Sequence, residues 1–163
     1  MAKHAVVRTD NMLGVDARSE LISIKYLGAD GETPTAIDNG NVLKDNGLVE
    51  GEREIRIGGD VASSDALRDV VLIATPEVMY DEHLKNLDDY YNEEGKICRG
   101  YRFHSGDIFS VTAYALKGTP EVGEEVTLAD GTKLEVGGSG TAVGKIIDHN
   151  ITSRYEYWVI EVE

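Results

Sequence analysis

The chain has 163 residues, 41% hydrophobic and 28% charged, which is long enough to bury a core without disulfides and too apolar for an intrinsically disordered segment. A balance of 30 acidic against 16 basic residues gives a formal charge of −14, which repels phosphates and anionic lipid and argues against nucleic acid or a membrane surface as partner. No run approaches the ~18 apolar residues of a membrane span, the first residues lack the apolar stretch of a secretory signal, and the single Cys98 excludes an internal disulfide.

Residues 1–18 hold one short apolar patch, Ala5 to Val7, in a polar run, and are expected to form an extended N-terminal arm. Leu21 to Leu27 is rich in β-branched and aromatic residues, and the turn chemistry of Gly28 to Gly31 closes it as a strand. Asp38-Asn39-Gly40 and Asp45-Asn46-Gly47 read as two tight turns around a short strand, Asn41 to Lys44, because Asn-Gly pairs supply positive φ. Glu52 to Gly58 alternates polar and apolar residues, as a strand with one solvated face does. Gly58 to Asp65 reads as a loop. Val70 to Ala74 is uniformly apolar, which suits a strand covered on both faces at the centre of the core.

One helix is expected, near 81–93: Leu84, Leu87 and Tyr91 share a face, the first turn is acidic, and Gly95 can end it. Everything after Lys96 reads as β, with strands at Tyr101 to His104, Ile108 to Leu116, Glu125 to Leu128, Lys133 to Val136, Thr141 to Ile147 and Tyr155 to Val162. Asp130-Gly131 is the strongest hairpin signal. The expected fold class is mainly β with one short helix. Its parts are the arm (1–18), a β-rich segment with the helix (19–95), and a small antiparallel β-barrel or sandwich (96–163) packed with it, in one domain or two.

No motif carries catalytic chemistry. Gly137 to Lys145 has the glycines of a phosphate-cradling loop, but Ile146 stands where Ser or Thr is needed, and a flexible strand corner is the better reading. His4, His83, His104 and His149 lack zinc-site spacing, and His104, Ser105 and Asp107 read as a solvated turn. Asp38, Asp45, Asp88 and Asp89 match no calcium loop. Asn150-Ile151-Thr152 fits a glycosylation sequon, but without an export signal it has no enzyme to read it. No cofactor, metal or catalytic residue is therefore expected. Cys98 reads as a small buried hydrophobe. Trp158, on the face of the last strand with Ile160, reads as core, whereas Tyr155 and Tyr157 on the other face suit an interface.

Several segments resemble small head-associated proteins of tailed bacteriophages, often called decoration or cement proteins. They are Met1 to Asp10, Asn46 to Glu54, Leu72 to Glu82 and Arg99 to Thr112. The resemblance implies a non-enzymatic protein made in the bacterial cytoplasm that binds the exterior of the assembled shell of the phage major capsid protein, as a homo-oligomer with a trimer favoured. An extended arm can add a strand to a neighbour's sheet, and its Lys3, Val6, Val7 and Arg8 are the residues expected to touch the partner. Alternative readings are another virion part, such as a tail or head-tail adaptor protein, or a small-barrel ligand-binding module.

Overall fold

A computed structural model describes residues 4–9, 12, 21–80, 83 and 86–163. The chain is mainly β, as its alternating and β-branched runs require. The described residues form eleven strands: β1 (Leu21–Tyr26), β2 (Val42–Leu48), β3 (Ile55–Gly59), β4 (Val70–Ile73), β5 (Ile97–Arg102), β6 (Ile108–Val111), β7 (Leu116–Lys117), β8 (Glu125–Thr127), β9 (Leu134–Val136), β10 (Ala142–Ile151) and β11 (Glu156–Val162). The first five close into a barrel in the order β1-β3-β2-β4-β5, with β1 paired to both β3 and β5. The other six form a sheet in the order β6-β11-β10-β8-β9-β7. Two pairs, β1–β3 and β7–β9, are parallel, so the sheets are mixed and not purely antiparallel.

β5 (Ile97–Arg102) belongs to the first barrel and not to the six-stranded sheet that the strands after it form. The reason lies in β4, whose four residues are all buried. Side chains alternate across a strand. Val71 and Ile73 point into the barrel with Ile24, Leu43 and Cys98. Val70 and Leu72 point out of it, with Val42, and join Phe109, Val126, Leu134, Val143, Ile146 and Ile160 in a second core shared with the six-stranded sheet. The wall of the barrel is thus the floor of the second sheet, and the two parts share one core. Within the barrel, burial pushes the Cys98 thiol up to about 11.

The second Asp-Asn-Gly is not a turn. It lies inside β2, where the register with β3 shifts between Asp45 and Leu48, and Gly47 takes φ +101°. The positive φ that Asn-Gly offers is used here for a β-bulge. Asp45 explains the choice: its carboxylate accepts the Gly47 N–H at 3.0 Å and pairs with Arg56 of β3 at 2.5 Å and Arg102 of β5 at 2.6 Å. A turn would carry Asp45 away from both cations.

The helix expected near 81–93 is not formed over its second half. Residues 87–89 make a single 3-10 turn, and Asn92 bridges to Ile37 in extended conformation; residues 81, 82, 84 and 85 lie outside the described ones. The hydrogen bonding of Asn92 decides against the helix. Its buried amide donates to the Ile37 carbonyl at 3.1 Å and to Asn39 Oδ1 at 3.0 Å, while Asn39 in turn donates to the Thr75 carbonyl at 2.7 Å. Tyr90 Oη donates to Asn92 Oδ1 at 3.3 Å and accepts from Lys96 at 3.2 Å. A buried amide must satisfy its donors, and this network does so only with 86–92 laid flat against residues 37–39.

The glycine-rich run of 137–144 serves close backbone approach. A Cβ on Gly140 would stand 2.0 Å from the Leu128 carbonyl oxygen, and one on Gly144 would stand 1.9 Å from that of Glu161. The run leads into β10 and is a strand entry, as its context in the sequence suggests.

Candidate functional site

The N-terminal segment does not project as an arm over its described part. Val7 forms an antiparallel bridge to Val111; Arg8 N–H donates to the Ser110 carbonyl at 2.9 Å, and Thr112 N–H donates to that of Val6 at 3.0 Å. Residues 4–9 therefore cover the β6 edge of the six-stranded sheet. Ala5, Val6 and Val7 are 1%, 2% and 1% exposed. Their apolar side chains, those of Val6 and Val7 among the residues expected to touch a partner, make contacts within the chain, where burial against its own sheet removes them from water. Lys3 and most of 10–18 lie outside the described residues.

Beside this segment lie the 86–92 segment and the start of β11, which brings Arg8 together with Tyr155 and Tyr157. Tyr157 is buried beneath the Arg8 guanidinium, 5.5 Å from ring centroid to guanidinium carbon. Tyr155, tilted at 6.0 Å from Tyr157, is half-buried and donates its hydroxyl to Asp88 Oδ1 at 2.8 Å. Burial and that bond both push the Tyr155 hydroxyl above its ordinary value. The Thr152–Tyr155 turn is closed by Thr152 Oγ1, which accepts the Tyr155 N–H at 3.0 Å, and Arg154 extends over the Tyr155 ring.

His4 joins the three parts. Its Nδ1 pairs with Asp38 Oδ1 at 2.8 Å, its N–H donates to the Asp88 carbonyl at 3.3 Å, and its ring stacks on Tyr91 at 4.7 Å. Two open recesses flank the segment. One, of about 530 Å³, is lined by His4, Val6, Asp88, Tyr114, Arg154 and Tyr155 among others. The second, of about 400 Å³, is lined by Val7, Arg8, Thr9, Glu77, Leu87 and Tyr157 among others. Tyr91, Tyr114 and Leu87 add exposed apolar surface around them, at 38%, 52% and 38% exposure. Aromatic rings set among fixed charges of both signs make a surface suited to a protein partner, where Tyr and Arg supply most contact energy.

Asp38, Asp88, Tyr91 and Tyr114 have no signature in the sequence that would have placed them here. Trp158, read as core, is half-buried at the core's rim, where it stacks flat on His149 at 3.9 Å. His104 and Asp107 form an exposed turn in which Asp107 accepts the His104 N–H at 3.0 Å. Among the described residues no three or more His, Cys, Asp or Glu are grouped so as to hold a metal ion, and no helix is long and apolar enough to cross a membrane.

Comparison with protein families, with curated proteins and with solved structures found no match for this chain.

Proposed function

We propose that this chain is a structural component of a tailed-phage particle that binds the exterior of the assembled capsid shell and stabilises it. The observation that carries the reading is the convergence of the N-terminal segment, the 86–92 segment and the β11 tyrosines into one shallow, aromatic, mixed-charge surface. Such a surface grips a broad protein face. The resemblance of four segments to head-associated proteins supplies the partner, the major capsid protein, and a homo-oligomeric state. A protein that binds the assembled lattice better than free subunits stabilises the lattice by mass action, and an acidic body stays soluble at high concentration.

Co-sedimentation of the purified chain with expanded shells of the capsid protein from the same source tests this. Binding is expected to saturate at a fixed ratio to capsid subunits and to be weakened by Tyr114→Ala and Tyr155→Ala. Failure of the wild-type chain to sediment with the shells overturns the reading. Immunogold label confined to tails would assign it to the tail instead.

A further inference from the structure

Strand β10 outruns its neighbour. It pairs with β8 through Ala142, Gly144 and Lys145, and Ile146 makes the last backbone bonds on that side, with Gly123 and Glu124. The strand continues to Ile151 paired with β11 alone, so that among the described residues no strand lies along its outer edge beyond Ile146. In an antiparallel pair, alternate residues turn both N–H and C=O toward the partner and the residues between turn them away. Thr152 N–H donates to the Tyr155 carbonyl at 2.9 Å, which sets the phase. Asn150 with Tyr157 and Asp148 with Val159 are then the mutually bonded pairs, and His149 and Ile151 direct their backbone groups outward. The His149 N–H bond to the neighbouring Asp148 Oδ1, at 2.8 Å, agrees: it occupies a donor that β11 leaves open, and pairing with another strand exchanges that carboxylate for a main-chain carbonyl.

Natural edges are blunted by lysine and other charged side chains, proline, β-bulges or a covering element, and here the bulge and the charge of Asp148 both lie at the Ile146 end. This one carries no Lys or Pro from Ile146 to Ile151, and Ile147 and Ile151 are 40% and 69% exposed. A bulge between Ile146 and Asp148 takes Ile147 out of register and leaves Asp148 to Thr152 as the pairable stretch.

We infer that this edge pairs antiparallel with the same edge of a second copy of the chain, about a two-fold axis at Asn150. The register follows from the outward groups. Bonded pairs must join residues that both face outward, so His149 of each copy meets Ile151 of the other, Asn150 meets its equivalent, and Asp148 meets Thr152. No residue faces a like charge, and the Asn150 amides face each other across the axis. Each exposed Ile151 side chain covers the His149–Trp158 stack of the other copy, since His149 and Ile151 share a face. Centring the axis on His149 instead would bring the bulged Ile147 into the pairing. The segment is thus its own best complement, which is what a two-fold contact requires. The inference does not rest on the capsid reading.

Asn150→Cys tests the register. The facing residues of a non-bonded antiparallel pair have Cα atoms about 4.5 Å apart, within disulfide reach, and native Cys98 is buried. Under mild oxidation Asn150→Cys is expected to form covalent dimers roughly tenfold faster, or more, than Leu48→Cys, a control on the barrel at 49% exposure. Sedimentation of the wild-type chain from micromolar to millimolar concentration is expected to show dimers that increase with added salt, which screens two bodies of charge −14, and that Ile151→Lys abolishes. A monomer throughout, with Asn150→Cys linking no faster than the control, overturns the inference. So does a dimer that Ile151→Lys leaves unchanged.

Discussion

The Arg8 guanidinium lies over the Tyr157 ring at 5.5 Å, so two residues expected to reach outward toward a partner are first each other's partners. A cation–π contact at a partly solvated site is worth about 0.5–1 kcal/mol. A double-mutant cycle of Arg8→Ala and Tyr157→Leu, read by urea unfolding, is expected to give a coupling of about that size. Additive effects would show that the contact contributes nothing.

Val7 sits in the shared core at the β6 edge and is 1% exposed. Val7→Ala is expected to cost about 1–2 kcal/mol of unfolding free energy, and Val7→Asp several-fold more because it buries an unpaired charge. Unchanged thermal unfolding in both would mean that the segment does not lie in its own sheet.

Asp45 should shape the acid limb of stability. Burial acts to raise its pKa, but Arg56, the Gly47 N–H and Arg102 outweigh it and hold the carboxyl below its ordinary value. A depressed folded pKa contributes stability that is present above the unfolded value, ~3.9, and is lost as pH falls through the folded one. Wild-type unfolding free energy is therefore expected to fall as pH drops below about 4, more steeply than in Asp45→Asn. At neutral pH that variant should be less stable by about 2 kcal/mol, under the usual range for a fully buried pair because Arg56 and Arg102 keep 30% and 25% of their side chains exposed. Parallel pH curves for the two proteins would remove Asp45 from this role.

Gly144→Ala puts a methyl group 1.9 Å from the Glu161 carbonyl oxygen, a backbone atom held in the β10–β11 ladder. The strands must part to admit it, and a loss of about 3 kcal/mol or more is expected, by thermal or urea unfolding. Gly106→Ala is a control for backbone strain alone: Gly106 has φ +90° and no atom near its Cβ position. It should cost about 1–2 kcal/mol. Equal losses in the two variants would contradict the close approach.

Strands were legible where the apolar pattern is uniform or alternates. Val70 to Ala74 reads as a doubly covered strand because every residue is apolar, and β4 is covered by the barrel interior on one side and the second sheet on the other. The last strand alternates and pairs with β10 and β6. Long-range polar bonds are what the sequence conceals. Leu84, Leu87 and Tyr91 carry helical spacing, yet the amides of Asn92 and Asn39, distant in sequence, hold the chain at Asn92 in a bridge to Ile37. Asp45-Asn46-Gly47 has the chemistry of a turn, and two arginines on other strands make it a bulge. The site was visible only as scattered residues: Arg8 and Tyr157 stood out for charge and aromaticity, whereas His4, Asp38 and Asp88 meet through a sheet edge that local pattern does not encode.

Cryo-electron microscopy of capsid shells incubated with the chain tests the proposed role most directly. Added density is expected on the shell's outer face at regular lattice positions, contacting capsid subunits through the surface of His4, Tyr114 and Tyr155. Shells without added density, or density attached through the opposite end of the five-stranded barrel, would contradict it.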